Sequence, residues 1–213
     1  MESLEACPER TELEDELRAY AREGQYERAA TLAIERYGAE VLGYMFAVLS
    51  APSDADEAFS EVCERLWRGL PSFEWRCSCR TWMYVIARNV GRNRIRAAAR
   101  AKARVVPLSE ASQVAKIADR VRSSTAIHLK TESRTRLDEV RAALEPDDRT
   151  LLVLRIDRKL SWTQIATVLS DDGTTEGPAL AREAARLRKR FERLKSKVVQ
   201  SLKEGRDAPD SDR

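Results

Sequence analysis

Two runs of cationic side chains carry the clearest chemical signal in this 213-residue chain. Arg76 to Arg104 holds nine basic residues and no acid, and Arg182 to Lys197 holds eight against Glu183 and Glu192. Guanidinium and ammonium groups at this density suit phosphate oxygens, which they bind through charge-assisted hydrogen bonds that weaken as salt rises. Aromatic residues accompany the first run: Phe73 and Trp75 precede it, and Trp82 and Tyr84 lie within it. Rings can wedge into a base step or stack on an extruded base, so charge and rings together are what holding an opened DNA strand requires. Acids collect elsewhere. Met1 to Glu16 has seven against the single Arg10, and Asp54, Asp56, Glu57, Glu61 and Glu64 form a second group. A net charge of +3 hides this separation, which lets one chain offer a cationic face to one partner and an anionic face to another. Any one of these runs, taken singly, also fits a solvated helix face.

Other chemistries find little support. There is no Gly-rich phosphate loop and no zinc-protease motif, and the one histidine, His128, falls in a polar stretch, so no enzyme is expected and no cofactor. Cys63, Cys77 and Cys79 could share a site, but their spacing is not one that zinc commonly uses, and no metal is expected. No apolar run approaches the ~20 residues needed to cross a bilayer. The acidic start is the opposite of a signal peptide, so no membrane insertion and a cytoplasmic location are expected.

The elements that must position these residues read as helices throughout. Strand signals are nearly absent and a period near 3.6 recurs, predicting an all-α fold of two small helical domains joined by a linker. Leu13 to Leu49 predicts two helices broken near Gly24, with Leu32, Tyr37, Val41, Tyr44 and Val48 facing inward. Beyond Ser50-Ala-Pro-Ser-Asp54, the residues Phe59, Val62, Cys63, Leu66 and Trp67 recur at i, i+3, i+4, i+7 and i+8, with Asp54, Glu57, Glu61 and Glu64 opposite. Gly69 and Pro71 end that helix. A second begins near Arg80, with Trp82, Val85, Ile86 and Val90 expected inside and Arg80, Thr81, Tyr84, Arg88 and Arg92 along an outer face. The spans expected are a first domain over 13–100, a linker over 101–136 that could hold a short helix, a second domain over 137–203 and a disordered tail over 204–213. In the second domain a helix runs through Leu137, Val140 and Leu144, and Pro146 breaks it. The next spans Arg149 to Arg158, with Leu151, Leu152, Leu154 and Ile156 as its apolar residues. Ser161-Trp-Thr-Gln164 matches a capping box, and a last long helix sets Leu187, Phe191, Leu194 and Val198 on one stripe.

Two segments together resemble the extracytoplasmic-function (ECF) type of bacterial sigma factor, within the sigma-70 family. The first is Ser53-Asp-Ala-Asp-Glu-Ala-Phe-Ser-Glu-Val-Cys-Glu-Arg-Leu-Trp67 followed by Cys79-Arg-Thr-Trp-Met-Tyr-Val-Ile-Ala-Arg-Asn89; the second is Leu144 to Leu194. The first is similar to the family's polymerase-binding helix and its promoter-melting, minus-ten-reading helix, the second to its helix-turn-helix for the minus-35 element. The resemblance therefore implies a sigma-2-like bundle and a sigma-4-like helix-turn-helix, with core RNA polymerase (its β′ and β subunits) and promoter DNA as partners and an anti-sigma factor as a possible third. Two departures stand out: Ser60 and Glu57 replace the family's usual Gln and Asp, and the turn before the recognition helix is enlarged, from Ser170 to about Ala185.

Residue roles follow from the resemblance and the charge pattern together. Asp54, Asp56, Glu57, Ser60 and Glu61 are expected to meet polymerase, where charge complementarity steers encounter and register. Arg80, Thr81, Tyr84, Arg88, Asn89, Arg92, Asn93 and Arg96 are expected at the minus-ten element. Arg186, Arg188, Lys189, Arg190 and Arg193 lie off the apolar stripe, where a recognition helix faces the major groove. The competing expectation from another class is an operator-binding helix-turn-helix regulator whose N-terminal helices dimerise or sense a signal. A thiol- or metal-responsive protein using the cysteines is a third.

Overall fold

The computed structural model describes residues 8–49, 51–98, 113–131, 140, 141, 143–170 and 176–204, and it is all-α, with no strand among the described residues. Helix α1 (Pro8–Arg22) and helix α2 (Tyr26–Val48) are separated at Gly24, whose φ of +72° is the left-handed conformation that glycine adopts without strain. Helix α3 (Pro52–Gly69) starts with proline in its first turn, where a missing N–H costs nothing, and runs into a short 3-10 turn, Leu70–Ser72. Helix α4 (Cys79–Ala98) follows the aromatic loop. Around α2, the central helix, pack α1, α3, α4 and helix α5 (Gln113–Thr131).

Helix α5 is a departure from the expected linker. Val114, Ile117, Ala118 and Val121 recur at i, i+3, i+4 and i+7, and all four are buried against α2 and α3. A Cβ added at Gly38 would sit 3.3 Å from a Val121 methyl, a tight contact that marks how closely α5 approaches α2. The segment thus completes the N-terminal bundle instead of merely spanning to the next.

In the C-terminal part, helix α6 (Pro146–Leu152) widens into a π turn over Val153–Asp157, and helix α7 (Trp162–Leu169) and helix α8 (Gly177–Glu204) follow. The Ser161 capping box is present: the Gln164 amide donates to Ser161 Oγ at 3.2 Å, and the Ser161 amide donates to Gln164 Oε1 at 2.8 Å. Leu151, Leu152 and Leu154 are buried as expected, whereas Ile156 is 48 % exposed because the wider π turn rotates it out of the apolar stripe. Leu187, Phe191, Leu194 and Val198 do line one buried stripe. Much of the span expected as an enlarged turn is helical, since α8 already begins at Gly177; residues 171–175, Leu137 and the tail from 205 lie outside the described residues.

The two parts share one continuous core. Leu151, Leu154, Leu160, Ile165 and Val168 belong to the same buried cluster as Ile34, Phe59, Met83 and Val90, and α7 packs along α4.

Candidate nucleic-acid and polymerase interface

The acidic face of α3 is set by its opposite side. Ala55, Ala58, Phe59, Val62, Cys63 and Leu66 are fully buried, which turns Glu57 and Glu61 outward. Glu64, expected on the anionic side, is instead buried and held by Arg68 at 2.8 Å, because α3 is covered over more than one stripe. Glu57 is exposed and accepts from Arg94 of α4 at 3.1 Å; Glu61 pairs with Arg65 at 2.6 Å and with Arg94 at 3.5 Å. Asp54 and Asp56 are half-buried, and Asp56 Oδ1 has no hydrogen-bond partner among the described residues. Ser60 donates to the Asp56 carbonyl at 3.1 Å and accepts from Arg122 of α5. All five acidic-face candidates therefore lie on one helix, with cations of α4 and α5 beside them.

Helix α4 begins at a cap supplied from far away in sequence. The Glu14 carboxylate of α1 accepts from the amides of Cys79 at 2.7 Å and Arg80 at 3.1 Å and from the Tyr37 hydroxyl at 2.9 Å. Anionic oxygens at a helix N-terminus are favourable, as the first-turn amides point at them. Burial, followed by the Glu14 charge, pushes the Tyr37 phenol well above its usual range. In the preceding loop Phe73 stacks on Trp82 with centroids 4.2 Å apart and an interplanar angle of 6°, and leans on Trp75 at 4.7 Å. Trp75 holds a left-handed φ of +57° with Arg18 over its ring. Of the rings expected from sequence as base-stacking candidates, Phe73, Trp75 and Trp82 thus pack on one another, whereas Tyr84 meets Tyr44 edge-on at 5.6 Å.

The expected outer face of α4 is not on the outside. Arg80 is 5 % exposed, Thr81 2 % and Arg88 7 %, and Tyr84 is fully buried. The side expected to face inward is only partly right: Ile86 and Val90 are buried, but Trp82 and Val85 are half-buried. The physical reason is coverage from two sides, by α2 and α3 on one and by α7 on the other. Arg80 donates to both Glu40 oxygens, at 2.6 and 2.8 Å, and to the Arg158 carbonyl at 3.0 Å, with its guanidinium over the Tyr84 ring. Burial works to lower the Arg80 pKa, but the Glu40 bonds and charge outweigh it and the net direction is up. Burial raises the Tyr84 phenol, with the nearby Glu40 charge acting the same way, and pushes Tyr44 up to about 12.

Beyond that buried stretch the helix opens out. Arg92 is half-buried, Asn89 is half-buried, and Asn93 and Arg96 are exposed. Arg88, Arg92 and Arg96 recur every fourth residue and line one wall of a cleft of about 380 Å³; the other wall carries Glu145, Asp147 and Arg190.

Residues 33–101, from α2 through α4, match the family model Sigma-70 region 2. That segment, about a third of the chain, is similar to sigma-70 region 2. No curated protein gives a significant match. Sigma-70 region 2 is a promoter-recognition domain, and the matched segment carries the acidic face of α3 and the arginines of α4. No described helix is long and apolar enough to cross a membrane.

Helix α8 lies outside the matched segment. Arg186, Arg188, Lys189 and Arg193 project outward, while Arg190 is half-buried and donates to Asp148 of α6 at 2.7 Å. Trp162 meets Phe191 edge-on at 5.4 Å and lies under Arg155, which fixes α7 against α8. Sequence reasoning missed Glu14, Glu40, Arg149 and Arg158, which organise α4 and its cover. The bonds by which they reach α2 or α4 from another part of the chain, Glu14 to Cys79, Glu40 to Arg80, Arg158 to Arg80 and Arg149 to Val48, span 40 to 101 residues, so no local spacing reveals them. Of the cysteines, Cys63 and Cys79 are buried and Cys77 is half-buried, and no group of metal-binding side chains forms among the described residues. Burial raises all three thiols, Cys77 to about 11.

Proposed function

We propose that this chain is an ECF-type sigma factor, which recruits core RNA polymerase to promoters from the bacterial cytoplasm. The observation that carries the reading is the region 2 match spanning α3 and α4, which puts an anionic helix face and an arginine-rich helix in one family-defined unit. In this reading Asp54, Asp56, Glu57, Ser60 and Glu61 meet a basic surface of the β′ subunit. The pairs Glu57–Arg94 and Glu61–Arg94 are exchanged for intermolecular ones on binding, an exchange favoured because surface pairs contribute only about 0–1 kcal/mol each. Of the α4 residues expected at the minus-ten element, Asn89, Arg92, Asn93 and Arg96 serve it from the accessible end of the helix, the arginines through phosphates, while the buried Arg80, Thr81, Tyr84 and Arg88 hold that helix in place. Arg186, Arg188, Lys189, Arg190 and Arg193 of α8 read the minus-35 element in the major groove, where Arg can bind guanine through two hydrogen bonds. An anti-sigma factor is a further partner of such a protein.

The test is reconstitution with bacterial core RNA polymerase, read as co-elution on a sizing column and as run-off transcription from a genomic promoter library. Co-elution with discrete transcripts is the expected result. Absence of any complex with core, together with a specific duplex shift by the protein alone, would replace this reading with the operator-binding regulator.

A further inference from the structure

Helix α1 lies outside the segment that matches sigma-70 region 2, yet it holds both the start of α4 and the aromatic loop before it. We propose that α1 is a positioning element for promoter opening: Glu14 fixes the first turn of α4 and Arg18 holds Trp75, so that residues 73–78 meet the opening DNA strand as a preset surface. This rests on the sigma-factor reading, in which the loop leads into the helix that serves the minus-ten element.

Both contacts come from one face of α1. Glu14, Leu17, Arg18 and Ala21 fall at i, i+3, i+4 and i+7, and burial of Leu17 and Ala21 against the bundle sets the direction in which Glu14 and Arg18 point. Both Glu14 oxygens are engaged: Oε2 accepts from the Cys79 amide at 2.7 Å, and Oε1 from the Arg80 amide at 3.1 Å and the Tyr37 hydroxyl at 2.9 Å. Ser78 Oγ accepts from the next amide, that of Thr81, at 3.1 Å. The amides of Cys79, Arg80 and Thr81, which no carbonyl of the helix itself can serve, are therefore all occupied. A local cap alone would leave the start of α4 independent of α1. Instead two of these three amides depend on a carboxylate 65 residues away from Cys79, so the start of α4 follows the placement of α1.

The loop is held in a conformation that its own sequence disfavours. Trp75 has a φ of +57°, in the left-handed region that a bulky side chain adopts at an energetic cost, and such a residue persists only where its surroundings dictate it. Those surroundings are Phe73, with ring centroids 4.7 Å apart, and the Arg18 guanidinium, 5.4 Å from the Trp75 ring centroid. Phe73 in turn stacks on Trp82 of α4, which packs against Gly69, where an added Cβ would lie 3.0 Å from the Trp82 ring. Phe73 and Trp75 are only half-buried, so ring surface stays open to solvent. A ring placed in advance loses little freedom when a base stacks on it, which is what preorganisation contributes to binding. Release of Trp75 from Arg18 removes that advantage and leaves the buried core untouched.

The test uses the full chain with core RNA polymerase on a promoter recovered by run-off, offered as a closed duplex and as the same sequence with non-complementary bases across the minus-ten element. Arg18→Ala removes the cation over Trp75, Arg18→Lys restores one, and Glu14→Ala removes the cap of α4. Arg18→Ala is expected to keep co-elution with core and run-off from the pre-opened template within about twofold, and to lose about tenfold on the duplex, the size of one lost base–ring stack. Arg18→Lys should recover most of that loss. Glu14→Ala should show the same split between templates together with a lower melting temperature. Equal loss on both templates is what a merely structural role produces, and it overturns the proposal, as does unchanged duplex run-off by Arg18→Ala. The two Arg18 variants decide the question even if Glu14→Ala fails to fold. An unmodified chain that gives neither co-elution nor transcripts instead removes the sigma-factor reading, and this role with it.

Discussion

Helices α4 and α8 are the two basic helices of this chain, alike in sequence and opposite in structure. Helix α8 buries one stripe, Leu187, Phe191, Leu194 and Val198, and leaves Arg186, Arg188, Lys189 and Arg193 in solvent. Helix α4 buries Met83, Tyr84, Ile86, Ala87 and Val90, which wrap around its circumference, and takes Arg80 and Arg88 inside with them. A helix apolar on one stripe lies on a surface, whereas one apolar on several sides is enclosed. A run of arginines therefore does not by itself show an accessible cationic face. On α4 the same residue type has become a structural element, stabilised by Glu40 and by carbonyls.

The sharpest break in that comparison is Arg80→Ala. Removing it leaves Glu40 without its buried partner and the Arg158 carbonyl without its donor, and a stability loss of about 3 kcal/mol is expected in urea unfolding. A loss under about 1 kcal/mol would mean that the pair is no more than a surface contact. Next comes Ser161→Ala, which deletes the cap that starts α7 and so loosens the helix lying on α4; about 1 kcal/mol is expected from the same measurement. For α8, Arg188→Ala with Arg193→Ala should change stability by no more than about 0.5 kcal/mol. The pair should instead lower the salt dependence of promoter binding by a slope of about 2, with co-elution with core polymerase retained. Equal loss of both activities would deny α8 a separate role.

The acidic face provides a different control. Glu57→Lys with Glu61→Lys should abolish co-elution with core while circular dichroism keeps its helical signal, because both side chains point away from the α3 core. Normal co-elution by the folded variant would remove that face from the polymerase interface. The smallest effect concerns the thiols. The raised pKa of Cys63, Cys77 and Cys79 keeps them protonated below about pH 8, so in a Cys7→Ser background native labelling by a thiol reagent should be slow and should speed up on unfolding. Rapid native labelling of Cys63 or Cys79 would revive the redox-sensing alternative.

Legibility followed the range of the interactions involved. The break at Gly24, the inward row on α3, the Ser161 capping box and the α8 stripe were all readable, because each depends on residues within a few turns of one another. The stripe on α5 was equally present in Val114, Ile117, Ala118 and Val121, but a surrounding polar stretch concealed it. For α4, a 3.6-residue period shows which residues share a side and not how many sides are covered. Trp82 illustrates this: a large aromatic expected in the core instead stacks on Phe73 at the edge of a loop.

By itself, then, the sequence determined an all-helical chain, its acidic and basic helix faces and the family resemblance, since periodicity, caps and motif strings are local properties of the chain. Only the tertiary structure decided that α5 belongs to the bundle, that Glu14 caps α4, and that Arg80 and Arg88 lie beneath the C-terminal helices. Those outcomes depend on desolvation and on charge pairing between residues distant in the chain, and both are set by which surfaces meet.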